Sequence, residues 1–109
     1  MKRGEIVVMM APGDLGKPRP AVVVQADEFG EETTPVLVCP MSSEVRQSTH
    51  ISPVVEPKAE DGLRITSQIM TDKMPVLRRD RIRRVLGHLD ASTQDALDRA
   101  LLIVGGLAN

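Results

Sequence analysis

Short runs of β-branched and aliphatic residues, each broken by proline, glycine or acidic residues, dominate the chain up to about residue 90. Residues 6–10 (Ile-Val-Val-Met-Met) predict a first strand, because such residues fit a pleated surface. Pro12, Gly13 and Gly16 mark a loop over 11–16. Residues 21–25 are almost continuously apolar and predict a central strand. An acidic, polar turn follows over 27–34, then a third strand over 36–41 with Ser42 and Ser43 at its exit. Residues 51–55 predict a fourth strand, stopped by Glu56 and Pro57, and Asp61-Gly62 signals a turn. Residues 64–70 alternate weakly and predict a fifth strand, with Arg64, Thr66, Gln68 and Met70 on one face and Ile65, Ser67 and Ile69 on the other. Polar groups on both faces suit a strand that lines a cleft or interface, or a plain edge strand. Residues 75–77 and 82–86 are further short strand candidates.

The period changes near the end. Leu97, Ala100, Leu101 and Val104 fall on one helical face, Asp90 or Ser92 can cap its start, and Gly105-Gly106 ends it. The expected architecture is mainly β: a strongly bent antiparallel sheet or partial barrel of five to seven strands, packed against a C-terminal helix. At 109 residues the chain predicts one domain over 1–109, with a thin core that a homodimer would extend.

Composition narrows the chemistry. Phe29 is the sole aromatic residue, so bases cannot be held on an aromatic platform, and nucleic-acid contact would rest on charge and hydrogen bonds. The net charge is only −1, yet Arg78, Arg79, Arg81, Arg83 and Arg84 crowd together; they form either a local basic surface or a solvated strand edge. Cys39 is the one cysteine, which excludes an intrachain disulfide and predicts a buried, inert thiol. His50 and His88 show no metal-ligand spacing. No targeting or membrane-spanning segment is read, so the expected location is the cytoplasm.

The sharpest local feature is Arg19 between Pro18 and Pro20. The two rings fix the backbone around it, so a planar, permanently charged fork stands at the mouth of a strand. Such a group suits phosphate oxygens or a developing negative charge; it equally suits an ion pair with Asp14 that closes the loop. The hydroxyls of Ser42 and Ser43 can hold a phosphate or cap a turn, and no hydrolase elbow surrounds them.

Several pieces, in this order, resemble the MazF/PemK/Kid family of bacterial toxins. They are Lys2-Arg3-Gly4-Glu5-Ile6-Val7, the loop and strand over 13–25, and Val38-Cys39-Pro40-Met41-Ser42-Ser43. Gly62-Leu63-Arg64, Ser67-Gln68, Met70 and Asp72-Lys73 follow, and Val85 to Asp90 with the helix closes the set. The resemblance implies an SH3-like antiparallel β-barrel homodimer with a C-terminal helix, of the CcdB/MazF-like type. It implies a metal-independent endoribonuclease without cofactor that cuts single-stranded RNA, often mRNA. Its partner would be a cognate antitoxin; it would meet DNA only through an antitoxin complex, and no membrane. By position, Arg19 is the charge stabiliser or general acid and Ser42 the second catalytic group, with Lys17, Ser43, Arg64, Gln68 and Asp72 binding substrate. Many relatives carry an acid where Ser67 stands and some an arginine where Met70 stands, so the resemblance assigns no general base. A gyrase-binding toxin of the same fold, or a silent antitoxin-binding module, are the alternatives.

Overall fold

The computed structural model describes residues 1–10, 17–29 and 35–109. The expected loop over 11–16, the second half of the acidic turn and the Arg19–Asp14 pairing lie outside them. The strands are β1 (Glu5–Met10), β2 (Pro18–Val23), β3 (Pro35–Ser42), β4 (Val54–Val55), β5 (Ser67–Ile69), β6 (Val76–Arg78) and β7 (Ile82–His88), followed by helix α1 (Ala91–Val104). They form one antiparallel sheet in the order β4-β5-β3-β2-β1-β7, and β6 pairs with the start of β3. Shifts of register between Ile6 and Val7 and between Val8 and Met9 bend the β1–β7 pair. Such irregularities increase twist and curl a sheet toward a half-barrel.

Both faces of the curled sheet are covered, which explains the near-continuous apolar runs. One cluster joins Val7, Met9, Ala21, Val23, Val36, Val38 and Leu77. The other joins Ile6, Val22, Cys39, Met41, Ile69 and Leu97 of the helix. Burial pushes the Cys39 thiol up to about 12, so it carries no thiolate at neutral pH.

Several elements depart from the sequence reading. β2 starts at Pro18 rather than Ala21. Residues 18–20 pair with β1 alone, while β3 joins β2 only from Ala21 onward. That unladdered edge is where a strand accommodates proline. The fourth strand shrinks to Val54–Val55, because Ile51 and Ser52 donate back to the Ser48 carbonyl in a turn. The fifth shrinks to Ser67–Ile69. Its predicted start bends at Arg64 and Ile65, just after the turn at Asp61, whose carboxylate accepts from the amides of Lys58 and Leu63. Gly62 has φ +72°, and a Cβ there would meet the Leu86 carbonyl at 2.4 Å. A Cβ on Gly87 would lie 2.1 Å from the Glu60 carbonyl. The turn therefore lies flat on β7 only because both positions lack a side chain.

The helix follows its predicted face at Leu97 and Ala100, which are fully buried, and at half-buried Leu101; Val104 stands exposed. Asp90 is the cap, with Oδ1 accepting from the Thr93 amide at 2.8 Å. Arg3 ties the first strand to this helix, donating from Nη1 to Asp98 at 2.7 Å and from Nε to the Val24 carbonyl at 3.0 Å.

Candidate functional site

Beyond the reach of α1, the sheet opens into a cleft of about 1020 Å³. This is at the upper end of the ~300–1,000 Å³ typical of small-molecule pockets. Its floor is the margin of the helix-side cluster: Met41, Leu63 and Leu86 belong to both. Val8 lies on the same side of β1 as Ile6, two residues back. The walls come from the start of β2, the end of β3, the segment 62–65 and strand β7.

Five of the seven site residues read from the sequence line this cleft: Lys17, Arg19, Ser42, Ser43 and Arg64. The register places Arg19 opposite Met9 and Ser42 opposite Gln68. Ser42 is half-buried and its Oγ accepts from the Glu44 amide at 3.1 Å. Its own hydroxyl proton is left to donate.

Gln68 and Asp72 do not line the cleft. Gln68 is 1% exposed, and its amide is consumed by backbone. Oε1 accepts from the Arg46 amide at 2.6 Å, while Nε2 donates to the carbonyls of Arg46 at 3.2 Å and Ser52 at 2.7 Å. Thr71 adds a hydroxyl bond to the Ile51 carbonyl. Together they fasten the irregular segment 43–53 to the sheet. Asp72 sits exposed in the 3₁₀ turn Thr71–Lys73.

Three polar lining residues escape a reading residue by residue. Arg84 alone of the five clustered arginines lines the cleft, because β7 pairs it with Val8. Arg78 instead pairs with Asp80 at 2.6 Å. Glu44 enters from the turn after β3. Ser67 contributes a buried hydroxyl that donates to the Ile65 carbonyl at 3.2 Å. The described lining thus holds four cations and one carboxylate.

Fold and cleft define a class: a small curled barrel, closed at one end by a helix and cationic at the other, suited to an extended anionic ligand. The chain belongs to the PemK-like, MazF-like toxins of type II toxin–antitoxin systems, whose family model matches residues 2–105. It is 33% identical to the probable endoribonuclease MazF of Mycolicibacterium smegmatis, over 99% of each chain. Among solved structures, it resembles a mycobacterial endoribonuclease in complex with its cognate antitoxin, with a TM-score of 0.84, 18% identity and coverage of 100% and 98% of the two chains. The Mycobacterium tuberculosis toxin MazF-mt6 gives 0.82 at 24% identity over 96% and 99%. A MazE-MazF structure from Deinococcus radiodurans gives 0.77 at 21% identity over 99% and 98%. These structural likenesses are of fold. Among the described residues, no helix is long and apolar enough to cross a membrane.

Proposed function

We propose that this toxin is a metal-independent endoribonuclease that cuts single-stranded RNA, chiefly mRNA, and thereby halts translation and growth. It works in the cytoplasm as a homodimer of single domains spanning 1–109, and a cognate antitoxin silences it by covering the cleft. The observation that carries this reading is the meeting of Arg19, Ser42 and three further cations, Lys17, Arg64 and Arg84, in one cleft.

The chemistry follows from those groups. A ribose 2′-hydroxyl attacks the adjacent phosphorus; the O2′–P bond forms and the P–O5′ bond breaks. The products are a cyclic phosphate and a free 5′-hydroxyl, whose oxygen takes its proton from water. Negative charge gathers on the non-bridging oxygens in between. Arg19, stiffened by its prolines, presents a fork to that charge, and the Ser42 hydroxyl donates to a second oxygen. Lys17, Ser43, Arg64 and Arg84 hold the flanking strand. With no aromatic platform, phosphate attraction carries most of the affinity.

The test is cleavage of a long single-stranded RNA in EDTA, with ends mapped by primer extension. Wild type should give discrete cuts, and Arg19→Ala should lower the rate by about 10²-fold or more. An Arg19→Ala protein that cuts as fast as wild type removes Arg19 from the site. Intact RNA together with inhibited gyrase supercoiling would replace the ribonuclease reading altogether.

A further inference from the structure

Proton removal is the step that the cations and hydroxyls of the cleft leave unassigned. The attacking 2′-hydroxyl must lose a proton as it approaches phosphorus, and a general base within hydrogen-bond reach takes it. Lysine and arginine side chains only donate when charged. Ser67 spends its hydroxyl on the Ile65 carbonyl. The histidines lie elsewhere: His88 lines a smaller hollow beside Asp90, and His50 lies in the segment 43–53, outside the cleft lining. Asp72 is on the turn after β5, also outside it.

We infer that Glu44 is the general base of this cleft, its carboxylate accepting the 2′-hydroxyl proton while the O2′–P bond forms. Among the described residues it is the one carboxylate lining the cleft. Two features hold it there. Its amide donates to Ser42 Oγ at 3.1 Å, which keeps it beside the second catalytic residue. The chain two residues on is pinned through Arg46 by both ends of the buried Gln68 amide. Gln68 therefore acts on the cleft as a positioning residue, by anchoring the turn that carries Glu44. The inference rests on the ribonuclease reading above.

Electrostatics supplies a signature that separates a base from a binding group. Lys17, Arg19, Arg64 and Arg84 share the cleft with Glu44 and attract the RNA backbone, whereas the carboxylate repels it. Neutralising Glu44 should therefore leave RNA affinity equal or improved while slowing the cut. The experiment compares wild type, Glu44→Gln, Glu44→Asp and Arg19→Ala in single-turnover cleavage across a pH series. Binding is measured in parallel on an RNA carrying 2′-O-methyl groups, which cannot be cut. Glu44 is exposed, so its variants should keep the wild-type melting temperature.

Glu44→Gln should cut about 10²–10⁴-fold more slowly, the usual worth of a positioned base. Its rate should keep climbing with pH, since hydroxide must replace the missing carboxylate, and Glu44→Asp should recover part of the loss. Glu44→Gln cutting within about threefold of wild type, well under that range, would overturn the assignment while the ribonuclease reading stands. Weaker binding of the methylated RNA by Glu44→Gln would overturn it too, in favour of a contact role. A wild-type protein that leaves RNA whole would remove both readings.

Discussion

The two ends of one sheet face share strands and a hydrophobic floor but differ in what completes them. At the helix end, Ile6, Val22, Cys39 and Leu97 close over one another, and Leu97 has no exposed surface. At the other end, Val8, Pro20 and Leu86 continue the same floor into the open, ringed by Lys17, Arg19, Arg64 and Arg84. The same strands bury apolar surface for stability and then stop being covered. Where coverage stops, cations replace aliphatic side chains. Under the proposed function, stability and ligand affinity belong to different ends, and each end can be damaged separately.

The largest separation should come from Leu97→Ala. Removing a fully buried leucine side chain typically costs about 2–5 kcal/mol, as lost transfer energy and a cavity. Thermal or urea denaturation measures the loss. Below the lowered melting point, the folded fraction should still cut RNA at the wild-type rate. A folded Leu97→Ala protein without cleavage would show that the helix end sets the cleft's geometry.

A smaller, opposite effect should come from Arg84→Ala. The residue is exposed, so stability should change by less than about 0.5 kcal/mol. RNA affinity should weaken, and the slope of log affinity against log salt should fall by about 0.7, the value for one contact to a single-stranded phosphate. Arg83→Ala, on the neighbouring position outside the cleft lining, is the control and should leave the slope unchanged. Equal slopes for the two variants would mean that the arginine band acts as a diffuse field.

That contrast between neighbouring arginines marks how far the sequence could be read. β1 and β3 were legible because aliphatic runs bury both faces of a curled sheet. The helix was legible through its Leu97–Ala100–Leu101 face and the Asp90 cap. β4 and β5 were overestimated, since Ile51 and Ser52 turn back onto the Ser48 carbonyl and the chain bends at Arg64 and Ile65 before it enters the ladder. Arg19, Ser42 and Ser43 stood out as local chemistry on β2 and at the exit of β3, while Lys17 came only with the family resemblance. Gln68 looked like a polar strand residue facing a ligand, and only burial reveals its bonds to Arg46 and Ser52. Arg84 was lost in its cluster because its place depends on the β1–β7 register, which contains two irregularities. Glu44 follows a strand end in a polar run, where no periodicity says which way the chain turns.

The smallest effect tests the rim of the closed end. Asp90 caps α1 and pairs with Lys58, which joins the turn before Gly62 to the helix. The Lys58 ammonium, with the Thr93 bonds, holds the Asp90 carboxyl well below the usual carboxylate range. The same pairing raises Lys58 above its ordinary value. An unfolded chain takes up the Asp90 proton near pH ~3.9, before the folded chain does. The stabilisation is therefore complete above that pH and is lost as pH falls toward the depressed folded value. Lys58 gives the mirror case: its share is complete below about pH 10.4 and fades as pH rises through the raised folded value. Asp90→Asn keeps an oxygen for the Thr93 amide but removes the charge. Its melting temperature should fall only slightly at neutral pH, and the gap to wild type should close in acid below about pH 4. Added salt should narrow the neutral-pH gap as well, because the Lys58 partner of the half-buried Asp90 is exposed to solvent. A gap that persists unchanged at low pH would assign the effect to the cap's hydrogen bond alone, leaving the Lys58 pair without weight in holding the turn to the helix.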